Sequence, residues 1–187
     1  VERAFQDAIK ALLERNSQIA EKVTEDDDII NAKEVEIDEF CLKLLALRQP
    51  AARDLRFITT AIKINYDLER IGDLAVNVSE RVLELNKEPQ LKPYIDLPTM
   101  ASIVQTMVKE SLDAFVKEDV ELAMKVTRDD EKVDQLLDQI FRELLTYMGQ
   151  DLRTITRATR LLFISKYLER AADHAVNIAE LVIFMVE

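Results

Sequence analysis

Apolar residues recur every three or four positions along most of this chain, the spacing that places them on one face of an α-helix. On a helical wheel that advances about 100° per residue, for example, Ile64 and Val82 lie within about 60° of Leu68. The pattern predicts three helices in each half of the chain. Their approximate limits are residues 1–14 with a short continuation to 23, then 28–47, 53–85, 99–117, 129–147 and 151–186.

The composition favours long helices over hairpins and turns. Only 2 glycines and 4 prolines interrupt the chain, and Leu, Ala, Glu, Lys, Ile and Val dominate it. An apolar content of 48% is enough to form a hydrophobic core in a chain of 187 residues. The sequence therefore predicts an all-α protein of six helices.

The second half of the chain repeats the first. LERIGDLAVN at 68–77 and LERAADHAVN at 168–177 lie 100 residues apart, with their acidic residues in register. Nearer the N-terminus the shift becomes 103, which pairs Asp27 with Asp130. We infer that the first half has about three extra residues near 28–31 and that each half is one copy of an internal repeat of about 100 residues.

A proline-rich stretch, 86–98, separates the two copies. The predicted units are a first repeat at 1–88, a linker at 89–98 and a second repeat at 99–187. The shift of 103 also pairs Val1 with Val104, which lies inside a predicted helix. We therefore expect the first helix to lack its opening turns and the native protein to have an N-terminal extension.

Charge and cysteine usage exclude several classes of function. The net charge of −11 repels phosphate backbones, and no basic run offers a local exception, so nucleic acid is not an expected partner. Cys41 is the only cysteine and His174 the only histidine, so the chain can form neither an internal disulfide nor a Cys/His zinc site. The single cysteine fits a reduced, cytoplasmic setting. No apolar stretch approaches the roughly 20 residues of a membrane span, so we expect membrane contact only through partners.

The repeated segments carry a row of acidic residues. Glu69, Asp73 and Asn77 are spaced four apart and lie along one helical stripe beside the apolar face. Like charges at this spacing weaken a helix by about 0.2 to 0.5 kcal/mol per pair, so their repetition calls for a reason. The second helices carry pairs with the same spacing. The eight predicted metal ligands are Glu34, Asp38, Glu69, Asp73, Asp134, Asp138, Glu169 and Asp173, with Asn77 and Asn177 as weaker members.

Hairpin geometry brings these pairs together. If Glu34 and Asp38 face Glu69 and Asp73, the turn between the two helices centres near residue 53, and near 153 in the second half. Turn-forming residues lie close by, at Gln49-Pro50 and Asp54 and at 149–151. Four converging carboxylates would repel one another, and a hard cation such as Mg, Ca, Mn or Fe would relieve the repulsion. Each half could hold more than one ion.

A plainer interpretation is that these acids form ordinary solvated helix surface, with local ion pairs such as Lys166 to Glu169 and Arg170 to Asp173. Four matched pairs make the metal interpretation the stronger one.

Other residues have ordinary roles in this interpretation. His174 lies about 100° from Asp173 on the wheel, which favours packing over metal ligation. Cys41 lies in an apolar helix and is expected in the core, and Gly72 on the apolar face indicates close helix packing. Five arginines near the starts of the third helices are expected to offset the acidic surface, with anion binding as the alternative. These are Arg53, Arg56, Arg153, Arg157 and Arg160.

With the repeat in view, the chain resembles the PhoU family of helical regulators of bacterial phosphate uptake. The resemblance rests on LERIGDLAVN and LERAADHAVN, on DLR at 54–56, and on LLALRQP and FRELLTYM at the ends of the second helices. It implies two three-helix bundles related by pseudo-twofold symmetry and multinuclear metal clusters, iron above all, with Mg, Mn or Zn as alternatives. The eight acids named above are the residues that match the family's motifs, and Asp134 stands where the first repeat has Glu34.

The resemblance also implies a role. The implied role is that of a non-enzymatic adaptor that negatively regulates the phosphate regulon. Such an adaptor acts between a phosphate ABC transporter, which it contacts through the ATPase subunit, and a membrane sensor histidine kinase. The location would be cytoplasmic, at the inner face of the membrane through partners, and a homodimer is compatible with it. The alternatives are a ferritin-like di-iron protein, although the chain has no Glu-x-x-His, a metal-free interaction module with acidic stripes, and an accessory protein of a low-affinity phosphate permease.

Overall fold

The structure is a computed structural model that describes residues 1–48 and 50–187. Over these ranges every regular element is helical, which confirms the all-α prediction. The helices are α1 (Glu2–Glu14), α2 (Ser17–Glu25), α3 (Asp27–Arg48), α4 (Ala52–Leu85), α5 (Asp96–Lys117), α6 (Val120–Gln150) and α7 (Ile155–Val186), with a short 3-10 turn at Leu152–Thr154 before α7.

The first helix of each half ends where the sequence predicted, at Glu14 and Lys117, but the second helix begins earlier than predicted. The chain reverses at Arg15 and at Glu118, which both adopt left-handed backbone angles with φ of 52° and 53°. The side chain of Asn16 then caps α2, and that of Asp119 caps α6. The segment predicted to continue the first helix to residue 23 therefore belongs with the second helix. Left-handed turns usually use glycine, and its absence here hid the early starts of the second helices at Ser17 and Val120.

The second helix of each half is accordingly longer than predicted. In the first half it is divided into α2 and α3, which are separated by Asp26 alone, and in the second half α6 continues without a break. The two halves thus share a three-helix plan, as the repeat predicted. The fifth helix begins at Asp96, inside the predicted linker, because Pro98 occupies a first-turn position where a backbone N–H is not needed.

Two long helices, α4 and α7, form the centre of the molecule and run antiparallel to each other. Ile71 and Val78 of α4 and Leu161 and Ile178 of α7 are almost completely buried and belong to one continuous hydrophobic core. The core also contains residues from the outer helices, such as Phe5. The division into separate units at 1–88 and 99–187 stays a prediction, since both repeats contribute to the same core.

Basic residues hold the connection between the repeats in place. Arg160 of α7 donates hydrogen bonds to the carboxylates of Glu84 (2.9 Å) and Glu88 (2.6 Å) at the end of α4. In the connection itself, the buried Lys92 forms an ion pair with Glu143 of α6. The arginines thus fix helix ends as well as offsetting acidic surface. No helix among residues 1–48 and 50–187 is long and apolar enough to cross a membrane.

Candidate metal centre

The acidic residues lie on two helical hairpins, α3 with α4 and α6 with α7. The predicted turn residue Gln49 lies outside the described residues, and Pro50 and Ala51 are non-helical, so α4 begins at Ala52. In the second half Asp151 lies between α6 and the 3-10 turn, and its carboxylate accepts the Arg153 N–H. The first turn therefore lies earlier than the predicted centre at 53, whereas the second connection, residues 151–154, includes the predicted centre at 153.

This earlier turn changes which side chains face each other in the first hairpin. The side-chain amide of Asn65 donates to the backbone carbonyl of Glu34 (2.8 Å) and to the Asp38 carboxylate (3.0 Å). Asn65 lies about one helical turn before Glu69. Asp38 is therefore displaced from Glu69 and Asp73, contrary to the predicted facing, whereas Glu34 stays close to them.

The second hairpin shows the same displacement. The Asp138 side chain is 75% exposed and lies 3.9 Å from Arg142 on its own helix. The charge of Asp134, and not that of Asp138, is among those that raise the pKa of Asp130 and Asp173. The predicted turn centres thus placed Asp38 and Asp138 about one turn too near Glu69 and Glu169, whereas Asp134 acts on Asp173 as expected. Whether Asp38 and Asp138 bind metal stays a prediction.

The carboxylates that do meet in the first half come from Asp27, Glu34, Glu69 and Asp73. Burial raises the pKa of Glu69 above its ordinary value, and the negative charge of Asp73 raises it further. The Arg70 guanidinium opposes this shift, and the charges of Glu34 and Asp27 add to it. The charges of Asp73, Glu34 and Asp27 thus all act on Glu69, and we call these four carboxylates of the α3–α4 hairpin the N-terminal cluster.

The matching group in the second half consists of Asp130, Asp134, Glu169 and Asp173, the C-terminal cluster. Burial raises the pKa of Asp130 to about 6, with further contributions from the charges of Asp134, Asp173 and Glu169. The pKa of Asp173 is also raised, first by burial and then by Glu169 and Asp134, against the opposing charges of Lys166 and His174. Six of the eight predicted ligands thus fall into the two clusters.

Four carboxylate oxygens in these clusters are enclosed and accept no hydrogen bond from the described part of the chain. They are Asp27 Oδ1, Glu69 Oε2, Asp130 Oδ1 and Glu169 Oε2. The same two positions are affected in each repeat. A buried polar atom without a partner costs about 1 to 3 kcal/mol, and more when it is charged. Hard cations are bound by oxygen ligands of this kind.

Asp27 and Asp130 are the cluster members that were not selected as candidate ligands from the sequence. Asp27 is the first residue of α3, where the positive end of the helix dipole favours a carboxylate. Asp130 lies one turn before Asp134 in the middle of α6. Their pairing at a shift of 103 was visible in the repeat and is the signal that could have found them.

The described side chains do not yet form a closed coordination shell. No group of three or more His, Cys, Asp or Glu side chains within residues 1–48 and 50–187 converges closely enough to hold an ion as it stands. The donor set fits a hard cation, because the enclosed oxygens lack other partners, but binding would require neighbouring carboxylates to rotate inward.

His174 and the two asparagines lie beside the clusters. His174 Nδ1 is 2.8 Å from Asp67 Oδ1, and the Asn177 amide lies 3.4 Å from the same oxygen, so these residues join α7 to α4. Asn77 is half-buried one turn beyond Asp73. An open groove of about 580 Å³ runs alongside and is lined by Asp38, Asp67 and Asn177 among others. Asp67 was not predicted as a candidate residue because its counterpart in the second repeat, Tyr167, is not acidic.

The comparison with known sequences begins with a family model described as the PhoU domain, which matches residues 1–82 and again residues 97–182. The chain is 46% identical over 187 residues to the phosphate-specific transport system accessory protein PhoU homolog of Pseudomonas aeruginosa, covering 100% of the chain and 77% of that protein. It is 45% identical over 170 residues to the Aquifex aeolicus protein of the same name, covering 91% of the chain and 77% of that protein.

Solved structures of PhoU proteins are also similar to this chain. The crystal structure of PhoU from Pseudomonas aeruginosa matches with a TM-score of 0.95 and 45% identity, covering 99% of this chain and 89% of that one. The phosphate transport system regulatory protein PhoU from Streptococcus pneumoniae matches with a TM-score of 0.92 and 31% identity, covering 98% of this chain and 86% of that one. These relatives are named as accessory or regulatory proteins and not as enzymes. The chain belongs to the PhoU domain family and contains two copies of the domain.

Proposed function

We propose that this protein is a metal-binding, non-enzymatic regulatory adaptor of bacterial phosphate uptake that represses the phosphate regulon. One structural observation carries the metal-binding part. In both repeats the same two carboxylates of the acidic cluster have an enclosed oxygen without a hydrogen-bond partner in the described part of the chain. The regulatory part is supported by relatives named as accessory proteins of the phosphate-specific transport system.

The proposed ligands are the members of the two clusters. Asp27, Glu34, Glu69 and Asp73 would hold metal on the α3–α4 hairpin. Asp130, Asp134, Glu169 and Asp173 would hold it on the α6–α7 hairpin. An all-oxygen donor set favours iron, manganese or magnesium over metals that prefer sulfur, and iron is the choice that the family resemblance supports. A bound cation would neutralise the mutual repulsion of each cluster.

The proposed partners are the components that a phosphate-transport regulator must connect. They are a phosphate ABC transporter, through its ATPase subunit, and a membrane sensor histidine kinase. The protein would act in the cytoplasm at the inner face of the membrane. The net charge of −11 favours partner surfaces that are basic.

Metal binding is tested by titrating the chelator-treated protein with Mn²⁺ and with anaerobic Fe²⁺ and measuring the bound stoichiometry by calorimetry and elemental analysis. The variant D27N/E69Q should lose binding at the first hairpin, and D130N/E169Q at the second, because each loses its enclosed charged oxygens. D38N/D138N is the matched control and should keep both sites. A wild-type protein that binds neither metal would contradict the proposal.

The regulatory role is tested in the host by replacing the chromosomal gene with the variant D27N/E69Q/D130N/E169Q. We expect a phosphate-regulon reporter to become active at high phosphate, as it would in a deletion strain. The D38N/D138N replacement should stay repressed, and immunoblotting should show equal amounts of both variants. A deletion strain that keeps full repression at high phosphate would contradict the assigned role.

A further inference from the structure

The N-terminal cluster contains its own cation. Arg70 Nη1 donates to Asp73 Oδ2 at 3.1 Å, and Arg70 Nε lies 3.4 Å from Glu69 Oε2. The second of these oxygens is one of the enclosed atoms that accept no hydrogen bond. A guanidinium is always charged, so it partly neutralises the two carboxylates that a metal ion would use.

Tyr66 explains why Arg70 adopts this position. The guanidinium carbon of Arg70 lies 4.9 Å from the centre of the Tyr66 ring, a cation–π contact. Tyr66 lies one turn before Arg70 on the same helix face. The ring therefore holds the guanidinium over the cluster and limits its freedom to turn toward solvent.

The C-terminal cluster lacks this arrangement, although it has an arginine at the matching position. Arg170 is exposed and, over residues 1–48 and 50–187, forms no ion pair with Glu169 or Asp173. The counterpart of Tyr66 is Lys166, which has no ring to support a guanidinium. Lys166 reaches Glu169 Oε1 at 2.5 Å, and the enclosed Oε2 of the same carboxylate accepts no hydrogen bond from the described part of the chain.

A second difference lies on the facing helices. In the first repeat the neutral Asn31 donates to Asp27 Oδ2 at 3.1 Å. At a shift of 103 its counterpart is Asp134, which is already the counterpart of Glu34 and has no N–H to donate to Asp130. Each cluster therefore has four carboxylates, but within the described residues only the N-terminal cluster has both an amide donor and a guanidinium that contacts two carboxylates. This difference makes the C-terminal cluster the stronger attractor of a cation.

We propose that Arg70, held by Tyr66, acts as an internal counter-cation that competes with metal for the N-terminal cluster, so that the two sites fill in order, with the C-terminal site first. A cation entering the N-terminal cluster must displace the guanidinium from Asp73 and Glu69. This inference rests on the proposed metal binding and concerns how that binding is regulated. Arg70 is a regulating residue and not a ligand.

The test measures each site alone by Mn²⁺ calorimetry, with D130N/E169Q leaving the N-terminal site and D27N/E69Q leaving the C-terminal site. We expect the C-terminal site to bind about fivefold more tightly. Adding R70Q to the first protein should tighten its Kd by about the same factor, and Y66L should give a smaller gain in the same direction. R170Q in the second protein is the matched control and should leave its Kd unchanged.

The outcomes separate this inference from the function on which it rests. Absence of Mn²⁺ binding in the wild-type protein would overturn the metal proposal and this inference together. Two sites that bind with equal Kd, or an R70Q variant whose Kd is unchanged, would overturn the inference and leave metal binding intact. Circular dichroism and thermal unfolding of each variant establish that the changes in Kd come from folded protein.

Discussion

Asp130 shows how strongly its surroundings alter one side chain. Its pKa rises from an ordinary 3.8 to about 6 because it is partly buried among Asp134, Asp173 and Glu169. Between these two pH values the folded protein holds the proton more tightly than the unfolded chain does. The free energy of unfolding therefore falls as pH rises through this window and changes no further on this account above about pH 6.

We predict that Asp130→Asn stabilises the metal-free protein at pH 7 by about 1 kcal/mol, a figure reduced for solvent screening. The substitution removes the repelling charge and keeps the size of the side chain. Urea denaturation in the presence of a chelator should show the gain at pH 7 and its loss near pH 4. Asp138→Asn, on the exposed side of the same helix, should change stability at neither pH.

At this residue scale the sequence identified six carboxylates of the clusters, but on α3 and α6 it selected Asp38 and Asp138 where the structure adds Asp27 and Asp130. In an antiparallel hairpin, an error of two residues in the centre of the turn changes the residue that faces a given side chain by four positions. Helical periodicity does not determine where a turn lies. Asp38 and Asp138 were therefore expected beside the acids of α4 and α7, whereas the structure places Asp27 and Asp130 there. The geometry of the connection was needed to correct this.

Gly72 shows how one element determines how closely another can approach. A Cβ atom added at Gly72 would lie 3.1 Å from Ile30 Cγ2 and 3.2 Å from Ile30 Cδ1, both in the side chain of a residue on α3. Both branches of the isoleucine are involved, and a β-branched side chain has few alternative rotamers. The close packing expected of this glycine from its place on the apolar face is therefore present at the α3–α4 contact.

A double-mutant cycle tests this contact. Alanine is favoured over glycine inside a helix by about 1 kcal/mol, but the contact with Ile30 should cancel most of that gain in Gly72→Ala. In an Ile30→Ala background the same substitution should stabilise the protein by about 1 kcal/mol. The coupling energy comes from chemical denaturation of the four proteins, and additive effects would refute the steric explanation.

The helices themselves were largely predictable, because apolar residues recur at helical spacing through every one of them. Their ends were less so. The second helices begin directly after left-handed turns at Arg15 and Glu118, which sequences usually mark with glycine, and α5 begins two residues before Pro98 rather than after it. Sequence rules for helix ends describe average preferences of residue types. The tertiary contacts of these residues determine where each helix begins and ends.

On the scale of the whole molecule, the connection between the repeats is fixed by a buried ion pair. The Lys92 side chain is only 4% exposed, and its partner Glu143 is 35% exposed. The packing of α4 along α7 and the docking of this connection could not be predicted from sequence, because periodicity identifies apolar faces but not which faces meet.

We predict that Glu143→Leu destabilises the protein by about 2 kcal/mol, since it leaves the ammonium group of Lys92 buried without a partner. Lys92→Met with Glu143→Leu should recover most of the loss, because no unpaired charge then remains. Urea denaturation of the single and double variants measures both effects. A double variant as unstable as Glu143→Leu would show that the pair itself, and not the isolated charge, matters.

The contact between Asp67 and His174 distinguishes the two sides of the molecule. An ideal twofold arrangement would offer any binding partner two identical surfaces and would allow two copies to bind. Here the positions related by the repeat are Tyr167 and Leu74, which cannot reproduce an imidazole–carboxylate contact. A partner that recognises the groove beside Asp67 therefore has one orientation on this chain and a stoichiometry of one to one.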